Sequence, residues 1–87
     1  MKDINTSFTF NETNYSIDAE FYVDSDMNFE MVTLNLFNND TDTEVVDFKA
    51  SSILHPVSLD SIISDEDLQK KIDSVILNEI DPGMAGW

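Results

Sequence analysis

The 87-residue chain carries 18 acidic residues against four lysines and no arginine, a formal net charge of −14. It has no cysteine, which excludes disulfides and thiolate metal sites. Charge of this sign and density disfavours direct binding to nucleic acid or an anionic membrane and attracts basic proteins.

Self-repulsion at −14 works against compaction, but 41% of the residues are apolar, six of them Phe, and they are patterned. That pattern predicts one folded α+β domain over 1–81 and a C-terminal tail over 82–87. MKDINTSFTF (Met1–Phe10) lacks the apolar run of a signal peptide, and no segment is apolar enough to span a bilayer. A cytoplasmic location is the corresponding expectation.

Strict alternation of apolar and polar residues marks the first half as strands. Phe8 and Phe10 share a face, a turn follows at Asn11–Asn14, and Tyr15, Ile17, Ala19, Phe21 and Val23 alternate with polar partners. SDMN (Ser25–Asn28) reads as a hairpin turn, FEMVTLNLF (Phe29–Phe37) as the next strand, NNDTD (Asn38–Asp42) as a turn and TEVVDFKAS as a fourth strand. A two-residue turn at Asp26–Met27 sets the register of the central hairpin. Phe21 then opposes Val32, Ala19 opposes Leu34 and Ile17 opposes Leu36, all on one face. The other face pairs Asp24 with Phe29, Tyr22 with Met31, Glu20 with Thr33 and Asp18 with Asn35.

The apolar period changes after His55-Pro56, with Ser58 and Ser64 as candidate helix caps. SDEDLQKKIDSVILNEI (Ser64–Ile80) places Leu68, Ile72, Val75, Ile76 and Ile80 on one helical stripe. Ser64 with Asp67 predicts a capping box, and Asp81-Pro82-Gly83 predicts the helix stop. The expected architecture is an antiparallel β-meander of about four strands with one C-terminal helix packed on its apolar face.

Catalytic and metal chemistry find little support. DSDMNFE (Asp24–Glu30) spaces oxygens as an EF-hand loop begins, but Phe29 stands where such a loop needs Gly and Asn35 where it needs Glu. Asp40 and Asp42 read as a turn whose side chains bond their own backbone. His55, the one histidine, precedes Pro56 and has no nucleophile or acid at triad spacing. Among 18 acids, close carboxylate pairs arise from composition alone. The expectation is a protein that is not an enzyme and takes no cofactor and no metal.

SIDAEFYVDSD (Ser16–Asp26) points instead to a binding surface. Asp18, Glu20 and Asp24 lie on the polar side of their strand, ~6.6–6.8 Å apart between alternate residues. Duplex DNA carries a charge every ~3.4 Å along each strand, so Asp3, Glu12, Glu44 and Asp47 would have to fill in such a row. The derived face also holds Tyr22, Phe29, Met31, Phe37 and Val45, more apolar area than a solvated face requires. The expected partner-binding residues are Asp18, Glu20, Tyr22, Asp24, Phe29, Met31 and Asp47, with the aromatics and Met31 as anchors. The tail GMAGW could instead cover this patch with Met84 and Trp87, or a second copy could meet it.

In size and composition, with 18 acids, no cysteine and strands followed by a helix, the chain resembles small acidic inhibitors encoded by phages and mobile elements. Many anti-CRISPR and anti-restriction proteins are single domains of this kind. The resemblance rests on gross features of the whole chain and carries over no functional residue. It implies a non-catalytic DNA mimic that occupies the basic groove of a nucleic-acid-processing protein. An immunity protein against a basic nuclease toxin needs the same electrostatics. A small structural or assembly protein with a solubilising acidic surface is the third expectation.

Overall fold

The computed structural model describes residues 1–24, 26 and 28–80. Four antiparallel strands follow one another across a sheet: β1 (Lys2–Phe10), β2 (Thr13–Val23), β3 (Phe29–Asn38) and β4 (Thr43–Lys49). Beyond the end of β4, the two-residue strand β5 (Val57–Ser58) pairs with the other end of β3. A single turn of helix, α1 (Leu59–Ile62), and a longer helix, α2 (Glu66–Ile80), complete the α+β fold. Among the described residues no helix is long and apolar enough to cross a membrane.

The β1–β2 hairpin closes on Asn11 and Glu12 alone, since Phe10 already pairs with Thr13. Both loop residues have positive φ, 49° and 63°, which a two-residue turn of type I′ requires at its two central positions. The β3–β4 turn is longer and is held by side chains. Asn38 Oδ1 accepts the N–H groups of Asp40 and Thr41 at 3.0 and 3.1 Å, and Asp42 adopts φ 54°. Short Asn and Asp side chains tolerate and stabilise such backbones.

The central hairpin departs from the register expected of uninterrupted pairing. Ile17↔Leu36, Asp18↔Asn35, Ala19↔Leu34 and Glu20↔Thr33 pair as the alternation predicts. A bulge then intervenes, so that Phe21 opposes Met31, Tyr22 opposes Glu30 and Val23 opposes Phe29. The cause lies in the apolar pattern of β3. Phe29 and Met31 occupy odd positions while Val32, Leu34 and Leu36 occupy even ones, and a strand with period two can turn only one set inward. One extra residue brings both sets into the core. Thr33 supports the break, because its Oγ1 accepts the Glu20 N–H at 3.1 Å. The expected Asp26–Met27 turn rests partly on Ser25 and Met27, which lie outside the described residues.

Among the described residues one cluster makes up most of the core. Ile4, Ile17, Ala19, Phe21, Phe29, Met31, Leu34 and Leu36 from the sheet join Leu59, Ile63, Leu68, Ile72 and Ile76. Phe21 and Phe29 meet edge to face with ring centroids 5.8 Å apart. The helical stripe is therefore core over Leu68–Ile76, with Val75 half-buried beside it. The Ile80 side chain, the Asp81-Pro82-Gly83 stop and the GMAGW tail fall outside the described residues.

The helix start is displaced by one residue from the expected capping box. Asp65 Oδ1 accepts the N–H groups of Asp67 and Leu68 at 3.0 and 3.2 Å, so Asp65 caps α2, not Ser64. Asp is as strong a cap as Ser and satisfies two otherwise unpaired donors of the first turn. Ser58 does stand at the N-cap of α1, where its hydroxyl meets that of Ser61 at 2.9 Å.

Candidate functional site: the acidic sheet face

Residues directly opposed in an antiparallel sheet share a face, so the register fixes what the polar side presents. One row across the four strands reads Asp3, Glu20, Thr33, Lys49. The next reads Asn5, Asp18, Asn35, Asp47, and the third Ser7, Ser16, Phe37, Glu44. Neighbouring strands lie ~4.7–4.9 Å apart and alternate residues ~6.6–6.8 Å apart, which makes this face a grid of carboxylates with short spacings. Five acids occupy it against the single lysine of these rows. A shallow depression of about 330 Å³ runs between Asp3, Asp18, Glu20, Asp47 and Lys49.

Asp3 and Glu20 are direct cross-strand neighbours. Like charges so placed destabilise a sheet. Glu20 is the better anchored of the two, half-buried with its carboxylate 3.4 Å from the Thr33 hydroxyl. Asn35 Nδ2 donates to Glu44 Oε2 at 3.0 Å, which fixes a further carboxylate on the same face. Asp18 and Asp47 are the outer neighbours of Asn35, one on each side in the same row.

Four of the seven residues expected to bind a partner, Asp18, Glu20, Tyr22 and Asp47, share this face. Phe29 and Met31 do not. They retain only 6% and 0% exposure because the bulge turns both into the core, and Glu30 takes the place opposite Tyr22. The expected anchors are corrected accordingly: Tyr22 and Phe37, both half-buried, are the aromatic side chains of the polar face. Val45 is the extra residue of a second bulge, between β3 and β4, and is 48% exposed. The expectation placed Asn35 opposite Asp18 but missed Lys49 and the Asp3–Glu20 pairing, which follow from pairing with the outer strands β1 and β4.

Asp24 has a structural task. Its Oδ1 accepts the N–H groups of Asp26 and Asn28, each at 2.9 Å, and Oδ2 accepts Asn28 Nδ2 at 3.3 Å. The backbone bond from Asn28, with further donation from its side chain and from Asp26, holds the Asp24 carboxyl below its ordinary range. Asp40 is engaged likewise, accepting the backbone and side-chain nitrogens of Asn14 at 3.1 and 3.2 Å. Glu12 sits in the β1–β2 turn, and His55 is exposed in the loop before β5.

A second acidic surface lies elsewhere on the molecule. A groove of about 440 Å³ is lined by Asp24, Glu30, Asp60 and Asp73 together with Phe29 and Gln69. Burial, reinforced by the nearby Asp60 carboxylate, pushes the Asp73 carboxyl above its ordinary value. Among the described residues no three His, Cys, Asp or Glu side chains are arranged to hold a metal ion. Compared with known proteins, the chain matches no family model, no curated protein and no solved structure.

Proposed function

We propose that this protein is a non-catalytic acidic inhibitor, a nucleic-acid mimic that binds the basic groove of a nucleic-acid-processing protein in the cytoplasm. The reading takes α2 to lie across the apolar face, which leaves the carboxylate grid for the partner. The observation that carries it is the direct pairing of Asp3 with Glu20 on a face that also carries Asp18, Asp47 and Glu44. A sheet kept soluble by charge would gain stability by alternating the signs or by replacing one acid with a neutral polar residue. Concentrating like charge on one face is useful where a basic partner neutralises it.

The loss of Phe29 and Met31 from this surface alters the expected balance of binding energy. Charge supplies most of the attraction, and Tyr22 and Phe37 are the aromatic side chains left beside the acids. Affinity for the partner should therefore fall steeply with salt.

Mass spectrometry of a pull-down from the native host supplies the partner, and surface plasmon resonance at two salt concentrations tests the face. Asp18→Asn with Glu20→Gln is expected to slow association and flatten its salt dependence. Tyr22→Ala is expected to speed dissociation, costing ~2 kcal/mol if it is a hot spot. DNA should compete with the protein for the partner's groove. Unchanged rates in all three substitutions would overturn the reading and leave a solubilising face. Recovery of a basic nuclease toxin as the partner would make the protein its immunity factor instead.

A further inference from the structure

The two edges of the sheet are built differently. The β4 edge is interrupted by the bulge at Val45 and carries Glu44, Asp47 and Lys49 in its seven residues. Bulges and charges are the usual means of keeping an edge from pairing with another chain. The β1 edge has none of these interruptions. It runs nine residues without Pro, Gly or register shift, and after the opening Lys2-Asp3, which cancel, it is uncharged. In a chain of net charge −14 this is a neutral strip. Among the described residues the backbone of β1 bonds to β2 and to no other strand.

We propose that β1 pairs with β1 of a second copy, antiparallel about a two-fold axis at Thr6, to join the two sheets into one. This edge borders the carboxylate grid, whose first column is Asp3, Asn5 and Ser7, and the proposal does not depend on the inhibitor reading. Centring on Thr6 overlaps all nine residues of the strand, and the sequence is self-complementary in that register. Ile4 meets the partner copy's Phe8, and Lys2 lays its aliphatic stem beside the partner copy's Phe10. On the polar side, Asp3 meets Thr9 and Asn5 meets Ser7. No like charges are opposed, and every even-numbered residue remains on the apolar side. Phe8 and Phe10 are partly buried in one chain, with Phe8 stacked on Tyr15 at 5.5 Å, so the pairing extends an aromatic row already begun. The isologous geometry closes at two chains and leaves the protected β4 strands as the outer edges.

Repulsion between two chains of charge −14 opposes this contact, so added salt should favour it. Sedimentation velocity at about 50 mM and about 500 mM NaCl, at protein concentrations up to the millimolar range, reads the association directly. The expected result is a dimer whose population rises with salt. A monomer at every salt and protein concentration would overturn the proposal. Asn5→Lys with Ser7→Lys brings lysines into opposition across the seam while lowering the magnitude of the net charge from its native −14. Asn5 pairs with Asp18 within its own chain, so the lysine introduced there gains an attractive neighbour. This variant should remain folded and become monomeric, whereas non-specific association would be strengthened by its weaker self-repulsion. Thr6→Cys introduces the single thiol of the chain at the two-fold axis, where opposed Cβ atoms lie ~4.5–5.5 Å apart. It should form a covalent dimer on oxidation, and Ser74→Cys on α2 should not. Equal cross-linking of both variants would refute the seam.

Discussion

Phe21 of β2 stands directly opposite Met31 of β3, and both side chains are fully buried. Uninterrupted pairing would put Val32 there and expose Met31. Core placement makes Phe21→Ala, Met31→Ala and Ile72→Ala each costly, by ~2–5 kcal/mol. Met31→Ala is the discriminating case, because a surface substitution would fall within ~0.5 kcal/mol of wild type. Urea titration of the three variants measures the differences. A Met31→Ala midpoint equal to wild type would restore the unbulged register.

The Asn11–Glu12 turn holds a glutamate in the left-handed region, where a side chain crowds the backbone. Glu12→Gly should therefore stabilise the protein by ~0.5–1 kcal/mol, the strain relieved being partly offset by glycine's extra entropy in the unfolded chain. Asn-Gly is also the preferred pair for this turn type. A thermal melt no higher than that of wild type would contradict the assigned geometry.

Asp24 and Asp73 should link stability to pH in opposite senses. The Asp24 pKa is lowered on folding, so its contribution is present above the ordinary value of 3.8 and is lost as pH falls through the folded-state value. The Asp73 pKa is raised, so the folded state holds that proton more tightly than the unfolded chain does. Stability from Asp73 is then full below 3.8 and declines as pH rises through the folded-state value. Asp73→Asn is expected to melt above wild type at neutral pH and to converge with it in acid. Asp24→Asn is expected to melt below wild type at neutral pH and likewise to converge in acid. Melting curves across the acid range check both signs.

The Asp3–Glu20 pair predicts a fold that gains stability from salt even without a partner. Screening weakens the repulsion between acids, and Glu20→Gln removes a directly cross-strand instance of it. That variant should gain up to ~1 kcal/mol at low salt and lose part of the wild-type salt dependence. Equal salt dependence in both proteins would mean that the paired carboxylates do not meet.

The sequence by itself determined the strand pattern, the helix and the charge, because each is a local periodicity or a sum. Alternation through Tyr15–Val23 marks one side of β2 as core, and the spacing of Leu68, Ile72 and Ile76 marks one stripe of α2. The pairing Ile17↔Leu36 followed as well, since a one-residue slip would have turned both outward. The phase change between Met31 and Val32 was present in the letters too, but a lone strand gives no reason to prefer a bulge to two shorter segments. Only the assembled structure decided it, because Phe21, Phe29 and the helix residues must all fill one interior. That decision withdrew Phe29 and Met31 from the expected binding surface. Tertiary pairing likewise made Asp3 the neighbour of Glu20 and placed Asp47 across Asn35 from Asp18, pairings the sequence reading did not contain. A sheet face gathers residues from separate strands, so the carboxylate grid exists only once all four are in register.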